Sequence, residues 1–148
     1  MRIERLGPED VDRVAAAEAL FDDAIDAGTT RAFLADERHH LLIAVDDGSP
    51  AGFVTGVELL HPDKPGPEMF LYELGVDEAF RGRGIGRALV VALRELAWER
   101  GCFAMWVLTD DANAAATATY RAAGGSQEPE SVMFVWDRPE TAPPRRSR

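Results

Sequence analysis

The sequence predicts an α/β sandwich in one domain, with a sheet that is mixed rather than wholly parallel. Two observations carry that prediction. Apolar runs of strand period and of helix period follow one another in the order β-α-α-β-β-β-α-β-α-β. The length of 148 residues suits a single hydrophobic core, and no internal repeat is visible.

Each element has its own local reason. "RIERL" reads as a first strand, and Pro8 with acids behind it suits the start of a helix over "GPEDVDRVAAAEALFDDAI". On that helix Val14, Ala17, Phe21 and Ile25 fall near one face. "TTRAFLADE" predicts a second helix capped by Thr29 or Thr30. "HHLLIAV", the turn "DDGSP" and "AGFVTGVELL" form a hairpin, and the prolines of "HPDKPGPE" make a loop. "MFLYELGV" is the next strand. The helix "GIGRALVVALRELAWER" repeats Ile85, Leu89, Leu93 and Leu96 on one face, which packs on a sheet. "CFAMWVLTD" reads as a buried strand, "ANAAATATYRAAGG" as a small-residue helix ending at a glycine pair, and "SVMFVWD" as a last strand. The domain is therefore expected over residues 1–137, and the proline-rich, charged residues 138–148 are expected to be a disordered tail.

Composition narrows the function classes. The net charge is −10; residues 140–148 set Glu140 against Arg145, Arg146 and Arg148, or +2, so residues 1–139 carry −12. Such a chain repels nucleic acid and attracts cationic small molecules. No apolar run approaches the roughly 18 residues of a membrane span, and the N-terminus lacks a secretory apolar region, so a cytoplasmic protein without membrane contact is expected. The lone Cys102 excludes an internal disulfide and reads as a buried thiol. His39 and His40 alternate across a strand and His61 stands apart, so no metal site is expected. Trp98, Trp106 and Trp136 read as core or subunit interface.

Against this acidity, "RGRGIGR" places three arginines among three glycines between a strand and a helix. A strand running through glycines into a helix aims unsatisfied N–H groups at one point, where the helix dipole also favours an anion. Gly82, Gly84 and Gly86 admit close backbone approach, and Arg81, Arg83 and Arg87 supply charge, which suits the diphosphate of a coenzyme. A tight turn needing positive φ would use the same glycines. The dinucleotide fingerprint fails because Arg87 stands where its last glycine belongs, and no phosphate-loop G-K-[ST] occurs.

"RGRGIG" matches the R-x-x-G-x-G acetyl-CoA signature, and Asn113, Ala116 and Tyr120 match the N-x-x-A-x-x-x-Y pattern, of the GNAT superfamily of N-acetyltransferases, which the chain resembles over about residues 1–137. The resemblance implies a mixed, mostly antiparallel sheet flanked by helices on both faces. It implies acetyl-CoA as cosubstrate, with Leu74, Gly75 and Val76 at the acetyl and pantetheine portion, Arg81, Gly82, Arg83, Gly84, Ile85, Gly86 and Arg87 at the diphosphate, and Asn113 as a further contact. Tyr120 would face the sulfur, although a tyrosine on a small-residue helix also fits a core position. Small enzymes of this superfamily are often dimers, so a homodimer is open here too.

Acetyl transfer to an amine requires removal of its proton, and two carboxylates compete for that task. Glu73 lies on the strand entering the glycine turn, and Asp110 ends the next strand. Strict alternation puts Tyr72 and Leu74 on one face and Glu73 on the other, so Glu73 would be buried against a helix unless it opens into a cleft. Asp110 and Asp111 could instead cap the following helix.

"FLYELGV" and "WVLTDD" resemble segments of the gentamicin 3-N-acetyltransferases, with "YEL" for their usual "YDL". That closer resemblance implies an aminoglycoside acceptor, with Asp22, Asp23, Asp26, Tyr72, Glu73, Asp110 and Asp111 as candidate contacts. The aspartates of the first helix could equally form a solvated face. "NAAATATY" is similar to the coenzyme-side helix of ribosomal-protein N-acetyltransferases, but Leu108 stands where that group carries its glutamate base. Acetylation of protein N-termini or polyamines, and a non-catalytic coenzyme-binding module, are the competing readings.

Overall fold

A computed structural model describes residues 1–136. They form two compact units, one from Met1 to Leu108 and one that begins at Thr109. Asp137 and the tail expected to be disordered, residues 138–148, lie outside the described residues.

The first unit is built on a five-stranded sheet in the order β1-β2-β3-β4-β5. Strands β1 (Arg2–Leu6), β2 (His39–Asp46), β3 (Ser49–Leu59) and β4 (Glu68–Val76) pair antiparallel in sequence, whereas β5 (Ala104–Trp106) pairs parallel with β4. The sheet is thus mixed and mostly antiparallel, as expected. Helix α3 (Ile85–Glu99) supplies the crossover that a parallel pair requires. It buries Ile85, Leu89, Val90, Leu93 and Ala97, close to the periodic set read from the sequence.

Close helix-to-sheet packing here depends on a glycine. A Cβ at Gly56 would stand 2.8 Å from a Leu93 methyl and from the Met69 sulfur, so its absence lets α3 settle onto β3. The other face carries helices α1 (Val11–Ala16) and α2 (Ala27–Ala35) over a core of Leu6, Val14, Ala17, Leu34, Leu41, Ile43 and Phe53.

Several expected elements are corrected. The long first helix stops at Ala16, followed by a 3₁₀ turn over Glu18–Leu20 and extended backbone at Phe21. Tertiary packing explains the break: the Phe21 ring sits 4.3 Å from that of Phe53, and the Glu18 carboxylate accepts the N–H of Ile25. Pro8 precedes the cap residue, Asp10, rather than opening the helix. Helix α2 is capped by Asp26, whose carboxylate accepts from Thr29 N–H, and not by a threonine.

The strand expected over 102–110 is three residues long and lies at the edge of the sheet, with Phe103, Trp106 and Leu108 exposed. Among the described residues it has one neighbour, so only Cys102 is buried there, as a free thiol. None of the three tryptophans is buried; Trp98, Trp106 and Trp136 are all exposed.

In the second unit α4 (Ala114–Ala122) matches the small-residue helix. The last expected strand is not formed over residues 131–136, and Val132 to Trp136 are exposed. Strand propensity alone does not make a strand, and residues 131–136 join no ladder among the described residues.

Candidate functional site

Strand β4 leads through Asp77 and a 3₁₀ turn, Glu78–Phe80, into the glycine and arginine segment. Gly82 and Gly84 both take positive φ, 77° and 78°, and Gly84 caps α3. A Cβ at either would meet no atom within 4 Å, so conformation rather than crowding demands glycine and the space above the turn is open. The first N–H groups of α3 have no intrahelical acceptor, and its first turn holds no acid but does hold Arg87. A cation there opposes the helix dipole, an arrangement that favours an anion bound beside it.

The other two arginines are held at the surface. Arg81 donates to the Val76 carbonyl at 3.2 Å and approaches Glu78, while Arg83 contacts Asp46 and Asp47 at 3.3 Å each and lies over the Phe80 ring. These exposed pairs are individually weak and can exchange for phosphate. The residues present therefore fit a diphosphate on geometry and on charge.

The strand before the turn contains the feature that alternation could not anticipate. Thr55 pairs with Glu73 but Gly56 pairs with Leu71, so Tyr72 is an extra residue on β4. Glu73 thereby shares a face with Thr55, the face that carries Phe53 and the α1 and α2 core, instead of facing α3. The expected opposition of Tyr72 and Glu73 is corrected by this bulge: the Tyr72 ring lies 5.6 Å from that of Phe70, which pairs with Val57 on the same face as Glu73. Thr55 Oγ1 accepts the Glu73 N–H at 3.1 Å and fixes the irregular backbone. Leu74 and Val76 return to ladder pairing beyond it, and Gly75 leaves room for the Phe53 ring, which a Cβ would meet at 2.6 Å.

Of the proposed acceptor contacts in this unit, Asp22 and Asp23 lie in the turn between the 3₁₀ segment and α2, not on a helix. Asp26 serves as the α2 cap, and hydrogen bonds from Thr29 lower its pKa.

The second unit holds the remaining candidates. Asp110 accepts the Ala112 N–H at 2.8 Å in a turn, and Asp111 accepts from Gln127. The cap of α4 is neither of them but Asn113, whose Oδ1 accepts the Ala116 N–H at 3.0 Å. Tyr120, on α4, is part-buried, and burial raises its phenol pKa. A phenol kept neutral is able to donate a proton or hydrogen bond at neutral pH.

The sequence pattern of the acetyltransferase (GNAT) family matches residues 9–124. The chain belongs to the GNAT acetyltransferase family. Acetyl-CoA is the acetyl donor of these enzymes, in keeping with the open glycine turn. An uncharacterized protein of Mycobacterium leprae (strain TN) is 34% identical over 125 residues, covering 82% of this chain; the chain spans about a third, 33%, of that curated relative's length. A solved aminoglycoside acetyltransferase from an uncultured soil metagenomic sample superposes with a TM-score of 0.80 at 25% identity, over 95% of this chain and 98% of its own. An aminoglycoside N-acetyltransferase of the 6′ type, solved with CoA, has the same fold at a TM-score of 0.73 and 21% identity, over 93% of this chain and 94% of its own. At that identity the likeness is one of fold, and the neighbour is of the 6′ type rather than the 3-N type.

Proposed function

We propose that this GNAT chain transfers acetyl directly from acetyl-CoA to a primary amine of an aminoglycoside, with Glu73 as the base. The observation that carries the reading is the bulge at Tyr72, which turns Glu73 away from α3 on the strand that enters the coenzyme turn. A net charge of −10 supports a cationic acceptor, as does the likeness to a solved aminoglycoside acetyltransferase. The "YELGV" and "WVLTDD" segments favour the 3-amino group as the acetylated position.

The chemistry asks most of the base. With an amine pKa near 10.4 only about one molecule in a thousand is neutral at pH 7.4, whereas a thiol of pKa about 8.5 leaves readily as thiolate. Glu73 takes the ammonium proton, directly or through water. The neutral nitrogen attacks the thioester carbonyl, and the carbon–sulfur bond breaks as Tyr120 gives its proton to the departing thiolate. The second proton shed by the nitrogen restores the Tyr120 phenol through water, and Glu73 returns its proton to solvent. Asp110 is the second candidate; its carboxylate accepts the Ala112 N–H in the turn before α4, which suits a structural role. Acetylation of peptide N-termini loses support because Leu108 occupies the position of that group's glutamate.

Thiol release from acetyl-CoA, assayed with aminoglycosides, polyamines and N-terminal peptides, tests the proposal. Aminoglycosides should give the highest kcat/KM, and the NMR spectrum of the product identifies the acetylated amine. Glu73→Gln should lower kcat by about 10² to 10⁴, and by more than Tyr120→Phe. Turnover restricted to peptides or linear amines would reject the aminoglycoside reading and retain the acetyltransferase one.

A further inference from the structure

A row of aromatic side chains continues from Glu73 along the same face of the sheet. Phe70 and Trp106 pair across β4 and β5, and their rings stack with centroids 4.3 Å apart and planes inclined by 24°. Tyr72 follows at 5.6 Å from Phe70 and is 57% exposed, while Trp106 is 38% exposed. The core beneath α1 and α2 draws on β1, β2 and β3 and includes none of these rings. Three adjacent aromatic faces, two of them open, form the kind of contiguous patch that marks a binding surface rather than scattered surface exposure.

Carboxylates stand at both ends of the row. Glu73 is at one end, and Glu68, on the same face by alternation, is at the other, hydrogen-bonded to His61 Nε2 at 2.7 Å. Four residues lie between them, one of them the bulge residue, so their pairing partners Leu59 and Thr55 are four ladder steps apart, or about 13 Å at a rise near 3.3 Å per step. Acid, aromatic shelf, acid is the pattern complementary to a molecule with amines at both ends and a flat body between, because aromatic faces attract cations and stack against ring faces. A linear amine satisfies the carboxylates without needing the shelf, whereas a chain of aminosugar rings uses both.

We propose that Phe70, Tyr72 and Trp106 seat a second amine-bearing ring of the acceptor, so that the chain selects multi-ring aminosugars over their single-ring cores. This specificity surface rests on the reading of Glu73 as the base of an aminoglycoside acetyltransferase. Trp106, which the sequence assigned to core or interface, becomes its main platform.

The test compares sisomicin, a multi-ring aminoglycoside, with 2-deoxystreptamine, its single-ring core, by thiol release from the full chain. Wild type should prefer sisomicin in kcat/KM. In Trp106→Ala and Tyr72→Ala that preference should fall about tenfold, through KM rather than kcat, and Trp106→Phe should restore most of it. An unchanged preference in both alanine variants, or equal losses for both amines, would overturn the proposal while leaving the acetyltransferase reading intact.

If wild type acetylates neither amine, the acceptor reading fails, and binding decides the shelf separately. In a Trp98→Phe/Trp136→Phe background Trp106 is the remaining tryptophan of the three. Saturable quenching of its fluorescence by sisomicin at concentrations where 2-deoxystreptamine has no effect supports the shelf. No quenching, or equal quenching by both, rejects it.

Discussion

His40 illustrates how much chemistry a single buried residue can hold outside the proposed site. Its side chain is fully buried, with Arg5 of β1 on Nδ1 at 3.0 Å and Glu58 of β3 on Nε2 at 2.8 Å. Arg100, just after α3, reaches the same Glu58 oxygen at 2.6 Å. Since arginine can only donate, Nδ1 must accept and Nε2 carries the hydrogen that Glu58 receives. The ring is therefore held neutral: burial, and then the positive charges of Arg5 and Arg100, lower its pKa from 6.5 despite Glu58. Burial works to raise the Glu58 pKa, but hydrogen bonds from Arg100 and His40 outweigh it and the net shift is downward.

Both shifts have the same consequence for stability. An unfolded His40 binds a proton near pH 6.5 that the folded ring resists, so stability is full above that pH and declines as pH falls below it. The Glu58 contribution is lost further down, below pH 4.5. We expect Tm to fall between pH 7.5 and 5.5, and to fall less in His40→Asn; equal slopes would exclude His40 as the source. Removing one partner of a buried pair costs about 3 to 5 kcal/mol, and because Arg100 is 37% exposed and can turn to water the low end applies. Glu58→Gln should thus lower Tm by roughly 6 to 12 °C. A sequence shows two adjacent histidines on opposite faces, but not partners separated by 35, 18 and 42 positions.

At the level of elements, caps show how the same residue can serve structure and be read as function. Asn113 was assigned to the coenzyme by resemblance, yet its side chain satisfies the Ala116 N–H at the start of α4. Asn113→Ala should cost about 1 kcal/mol, or roughly 2 to 4 °C in Tm, and Asn113→Asp should recover it because aspartate caps equally well. Failure of aspartate to restore Tm would show that the cap is not what Asn113 contributes to stability. Strands β1 to β4 and helix α3 were legible because period and length agree over many residues. The break after Ala16 was not, since Phe21 leaves the helix to meet Phe53, 32 positions away. The bulge at Tyr72 was equally hidden: no residue in "FLYELGV" announces it, and it is set by Thr55 on the neighbouring strand. The glycine turn was readable because its special backbone is local.

For the molecule as a whole, charge is the property that connects sequence to function most directly. A net charge of −10 creates an attractive field for a polycation, and that attraction is screened over about 8 Å at physiological ionic strength. Acetyl-CoA is an anion and, in the proposed reading, meets the opposite situation, a repulsive surround with attraction from Arg81, Arg83, Arg87 and the start of α3. Added salt weakens the acceptor's attraction at long range, but for the donor it relieves long-range repulsion while weakening short-range attraction. The two effects on acetyl-CoA oppose each other, whereas nothing offsets the loss for the amine. Raising salt from about 0.02 to 0.5 M, which shortens the Debye length from over 20 Å to about 4 Å, should raise the aminoglycoside KM several-fold and change the acetyl-CoA KM far less. Steady-state kinetics with each substrate varied at saturating partner measures both. Equal salt dependence of the two constants would mean that the acidity serves solubility alone, and the acceptor would then have to be sought among uncharged or singly charged amines.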